Sequence, residues 1–175
     1  MKYTSTLTLS ILFCSGLFAQ NNWFIPFGQS KEDVKSFLGT RDYIAQVQED
    51  PEMQSVRAVL DKDKHVEYAF DTNDALYATT VTRNYSDKKV AKEIQKDCID
   101  YMGNVCIEEI TANSNDNIIC YTAVTEAKII KLFVINHPRS TTLTLSSVSR
   151  TVGPMIQEKD FFYEIELLQR KFISN

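Results

Sequence analysis

The chain has 175 residues, 43% of them hydrophobic, with 19 Lys and Arg against 23 Asp and Glu for a formal charge of -4. That length suits one domain with a substantial core, and the hydrophobic share excludes wholesale disorder. Five glycines and four prolines exclude collagen-like and linker-dominated chains, and the acidic balance gives no whole-chain attraction to nucleic acid or anionic lipid.

Met1 and Lys2 supply positive charge, and Leu7, Leu9, Ile11, Leu12 and Phe13 begin an apolar stretch that runs to Ala19. Gln20, Asn21 and Asn22 then turn polar. A short positive segment, an apolar segment and a small residue at a cut site read as a secretory signal peptide over residues 1–19. The competing reading is a buried N-terminal helix or an uncleaved anchor, but a spanning helix needs about 20 apolar residues and this run is shorter. Cys14 follows Phe13, where a lipoprotein signal carries a small residue, which argues against lipidation. The ending Leu17-Phe18-Ala19-Gln20 resembles leaders of secreted proteins in the Bacteroidetes group. The expected location is therefore the periplasm or the exterior, with no transmembrane anchor after cleavage.

Residues 20–29 form an apolar arm around Trp23, Phe24, Ile25 and Phe27, expected to pack on the body of the protein. The main domain is assigned to residues 30–152. Ser30 and Asp33 have capping-box spacing, Val34, Phe37 and Leu38 share a face, and Gly39 ends a helix of about two turns. Three strands are expected next, over 54–60, over 66–71 and from Leu76 to Arg83, because apolar residues alternate between Asp- and Asn-rich turns.

Ser86 is the next expected cap. Val90, Ile94, Cys98 and Met102 recur every four residues opposite a charged side, and Gly103 closes the stripe. Strands are expected over Val105–Thr111, Ile118–Thr125, Lys128–Asn136 and Thr141–Ser149. Apolar residues on both faces mark the third of these as central, while Leu143 and Leu145 alternate with Thr142, Thr144 and Ser146 in the fourth. Residues 153–175 read as a segment packed on the domain. Phe161, Ile165, Leu168 and Phe172 favour a helix there, and Tyr163, Ile165 and Leu167 suit a strand. The sum is an α+β fold: an antiparallel sheet of about six to seven strands, two helices on one face, and an outline of helix plus strands that suggests a two-fold internal repeat.

Three cysteines remain after the leader: Cys98, Cys106 and Cys120. A symmetric turn over 113–117 places Cys120 opposite Ile110, so a Cys106–Cys120 bridge is disfavoured. Three free thiols are expected, with a Cys98 disulfide as the alternative. The two histidines, His65 and His137, lack metal-pair spacing and read as solvated turn and loop residues. Glu108 and Glu109 alternate across a strand and cannot share one substrate. P-loop, dinucleotide, calcium-loop and nucleophile-elbow patterns are absent from the sequence, and no cofactor is expected.

The run Phe27-Gly28-Gln29-Ser30-Lys31-Glu32-Asp33-Val34 with Phe37-Leu38-Gly39 resembles the opening of SmpA/OmlA-type, BLIP-like exported modules. The resemblance implies a non-catalytic binding or envelope-assembly module built on antiparallel strands. Thr40-Arg41-Asp42 stands where the family places a proline, and the lipoprotein cysteine of its lipidated members has no counterpart. The expected function is thus an exported binding module for a protein or a cell-envelope component, without nucleic acid. Trp23, Phe27, Thr80, Thr82, Thr142 and Thr144 are its candidate contacts, the threonines as a water-facing platform. The alternatives are a small periplasmic enzyme, with Tyr77, Arg83, Tyr121 and His137 as the residues to inspect, and a purely structural envelope protein.

Overall fold

Helix α1 (Lys31–Gly39) starts where the capping pattern predicts. Ser30 Oγ accepts from Asp33 N at 3.2 Å, and Glu32 and Asp33 stand in the first turn, where the helix dipole favours negative charge. Val34 and Leu38 are its buried residues. The computed structural model describes Trp23, residues 25–115 and residues 117–152. The expected leader (1–19) and C-terminal segment (153–175) lie outside the described residues.

Among the described residues, eight strands follow the helix in two runs: β1 (Gln46–Asp50), β2 (Ser55–Asp61), β3 (Lys64–Phe70) and β4 (Leu76–Tyr85), then, after α2 (Lys88–Val105), β5 (Thr111–Asn115), β6 (Ile118–Val124), β7 (Lys128–Asn136) and β8 (Thr141–Ser149). They form one antiparallel sheet in the order β1-β2-β3-β4-β8-β7-β6-β5. The expectation of six to seven strands was low because β1 gives no hydrophobic signal: in Gln-Val-Gln-Glu-Asp only Val47 is apolar, and it is exposed. The order helix then four strands occurs twice, and the two runs meet along β4 and β8.

Two boundaries differ from the sequence expectation. The cap of α2 is Asp87, whose carboxylate accepts from Lys89 N and Val90 N, and Ser86 lies outside the helix. At the other end α2 passes Gly103 and reaches Val105, with Cys106 N donating to Met102 O. The strand expected over Val105–Thr111 therefore begins only at Thr111. A helical hydrogen-bond ladder that can continue overrides the weak β pattern of Val105 and Ile107. Along the stripe, Ala91, Cys98 and Met102 are buried, whereas Val90 in the first turn is exposed.

The core lies between the two helices and one face of the sheet. Val56, Ala58, Val66 and Tyr68 from the first run and Ile130, Leu132, Leu143 and Leu145 from the second share one cluster with Leu38, Cys98 and Met102. Trp23 belongs to it at 1% exposure, and its carbonyl accepts from Tyr68 Oη at 3.1 Å. The arm is also tied to the start of β4, through Gly28 N to Leu76 O and Leu76 N to Gln29 O. Gly28 sits at φ +90, a conformation costly for a residue with a Cβ.

Cys98, Cys106 and Cys120 form no disulfide among the described residues. Cys120 stands opposite Asn113, not Ile110, because β5 starts later than expected and the turn is correspondingly shorter.

Candidate functional site: an open pocket between two hairpins

The site lies at the end of the sheet where the β2–β3 and β7–β8 hairpins project, on the face away from the helices. Asp61 Oδ1 accepts from Asp63 N at 2.7 Å, which shapes the tight turn before β3, and Asn84 N donates to Asp63 O at 2.8 Å. Across the sheet, His137 N donates to Ser140 O at 3.0 Å and closes the Pro138-Arg139 tip before β8. β4 and β8 run between the two tips, so the opening is floored by strands and walled by turns.

The pocket has a volume of about 580 Å³. Lys62, Asp63 and His65 come from the first hairpin, Thr82 and Asn84 from β4, and His137, Arg139 and Thr142 from the second hairpin. Both histidines of the chain thus line one pocket, although 71 positions separate them in sequence. Strand order explains the meeting: His65 pairs with Thr82, Thr82 with Thr144, and Asn84 with Thr142.

His65 is a half-buried strand residue, not the solvated turn residue expected. Burial pushes its pKa below 6.5, the neighbouring Arg57 charge adds to that shift, and Glu67 opposes it. His137 Nε2 lies 3.3 Å from Thr142 Oγ1, and Thr142 Oγ1 donates to Asn84 Oδ1 at 3.4 Å. Among the described residues, Lys62 and Arg139 have no ion-pair partner. A second hollow, at the opposite end of the sheet, is lined by Glu49, Asp50, Glu52, Glu67 and Arg57, with Glu49 ion-paired to Lys31 and Lys35 of α1 and Glu67 to Arg57.

The threonine platform is not water-facing as expected. Thr82, Thr142 and Thr144 are buried, and only Thr80 of the four is partly exposed. Their hydroxyls pair across β4 and β8: Thr80 with Ser146 at 3.0 Å and Thr82 with Thr144 at 3.2 Å. β8 is a central strand, and all nine of its residues are buried. A hydroxyl there meets a neighbouring strand's side chain before it meets solvent. Thr82 and Thr142 nevertheless reach the pocket wall. Trp23 is sealed in the core and Phe27 packs partly against it, so neither belongs to this pocket.

The four residues singled out for an enzyme do not converge. Arg83 lies on the helix side over the Tyr85 ring, at 5.2 Å. Tyr121 accepts there from Gln95 Nε2 at 3.2 Å. Tyr77 packs against the small cluster of Ala78, Phe133 and Val148, and only His137 lines the pocket. Among the described residues, no group of three His, Cys, Asp or Glu side chains is placed to hold a metal, and no helix is long and apolar enough to cross a membrane.

The sequence separately flagged His137, Thr82 and Thr142 and missed Lys62, Arg139 and Asn84; the turn positions of Lys62 and Arg139 were the available signal, and Asn84 in β4 gave none. No protein-family model, curated protein or solved structure matches this chain.

Proposed function

We propose that the protein is an exported, non-enzymatic binding module of the periplasm or the exterior, and that it contacts its partner, a protein or cell-envelope component, through the pocket between the two hairpins. The observation that carries this reading is the gathering around one opening of both imidazoles, two threonines, and Lys62 and Arg139, which have no ion-pair partner among the described residues. A concavity of a few hundred Å³ into which several polar groups converge has the size of a recognition site. The leader pattern supports export.

A photo-crosslinking residue in place of Ser140, which lines the pocket and carries no charge, tests the reading in the native envelope, with the same residue at Glu93, an exposed position of α2, as the reference. A discrete crosslinked species from position 140 alone is expected. Equal labelling from both positions, or none from either, overturns the proposal.

One contact favours a small enzyme as a second reading: His137 Nε2 within 3.3 Å of the Thr142 hydroxyl, the geometry of a base and a nucleophile. Against it, Thr142 is buried at 3% exposure and directs its hydroxyl at Asn84. Turnover of an activated acetate ester that disappears in His137→Ala would favour the enzyme; no turnover would remove it.

A further inference from the structure

We infer that the pocket between the hairpins takes a small organic oxyanion, a carboxylate or a phosphate ester, held between Lys62 and Arg139. The inference rests on the pocket being the contact site and names the chemistry that this site selects.

The chain as a whole is acidic, yet the rim of this pocket carries two cations against one carboxylate, that of Asp63. Among the described residues neither Lys62 nor Arg139 has a carboxylate at ion-pair distance, so a bound anion displaces no existing partner. They stand on separate turns, one at each side of the opening, and a ligand bridging them satisfies both at once. Arg139 presents a planar fork suited to the paired oxygens of a carboxylate or phosphate. Between the cations, Thr82, Thr142 and Asn84 add neutral polar groups, which tolerate an anion better than acids do.

Size separates an organic anion from a bare ion. A pocket of about 580 Å³ falls in the range of small-molecule sites and is far larger than a single phosphate or chloride needs. The contrast with the second hollow adds direction. Asp50 and Glu52 there add negative charge beyond the ion-paired Glu49 and Glu67, so that hollow disfavours an anion.

The experiment follows the imidazole NMR signals of the purified protein, since its two histidines both line the pocket. Inorganic phosphate and citrate are titrated separately at constant ionic strength. Both histidine signals are expected to shift along one saturable curve with at least one probe. Phosphate alone identifies a phosphate ester, and citrate alone a carboxylate. Lys62→Gln combined with Arg139→Gln is expected to weaken that binding about tenfold, with unchanged thermal stability because both side chains are exposed. No saturable shift with either probe overturns the inference, as does parent-like affinity in the double variant. A shift with hexaglutamate but with neither small anion also overturns it, in favour of an acidic peptide. Crosslinking from position 140 without anion binding would sink this inference and leave the binding-module reading standing. Anion binding without crosslinking would do the reverse.

Discussion

His65 and Trp23 illustrate what a side chain's surroundings do to its chemistry. Burial chiefly, by disfavouring the charged imidazole, lowers the pKa of His65 below the ordinary 6.5. A group whose folded pKa is depressed binds its proton more readily in the unfolded chain, so folding stability falls as pH drops through 6.5 and levels off below the folded value. Urea unfolding at about pH 7.5 and about pH 5 should therefore show the parent losing more stability on acidification than His65→Gln. Equal losses would mean that His65 is solvated in the fold. Nothing local in Lys64-His65-Val66 distinguishes this histidine from a turn residue, because its burial is supplied by β2 and β4. Trp23 was legible as an apolar arm residue, but not its tie to Tyr68, which lies 45 positions away.

At the scale of the element, capping chemistry decides helix ends more finely than periodicity does. The stripe through Ala91, Cys98 and Met102 was readable because 3.6-residue spacing is a property of the local chain. The start was misread by one residue, since Ser86 and Asp87 are both good caps and only the backbone conformation chooses between them. Asp87→Ala should cost about 1 kcal/mol in urea unfolding, and Ser86→Ala less than about 0.5 kcal/mol. The reverse ranking would restore Ser86 as the cap. β1 and β5 were missed or misplaced for a related reason. Both are edge strands with polar sequences, and their extended form follows from pairing with β2 and β6, not from any apolar alternation of their own.

For the whole molecule, the seam between β4 and β8 joins the two helix-plus-four-strand runs, and cross-strand hydroxyls line its helix-free side. Thr82 and Thr144 are both buried and bond each other at 3.2 Å. Thr82→Val alone leaves the Thr144 hydroxyl unpaired and should cost about 1–2 kcal/mol, whereas Thr82→Val with Thr144→Val should be nearly neutral. A double-mutant cycle in urea checks this, and additive costs would show that the hydroxyls act independently. The same seam brings the hairpin ends together and makes the pocket. By itself the sequence determined the α+β class, α1 with its cap, the body of α2 and most strands, because periods of two and 3.6 are carried by neighbouring residues. Only the tertiary structure decided the strand order, the burial of the threonines and the meeting of His65 with His137. Those depend on register between residues dozens of positions apart, and each strand's local pattern is compatible with many partners.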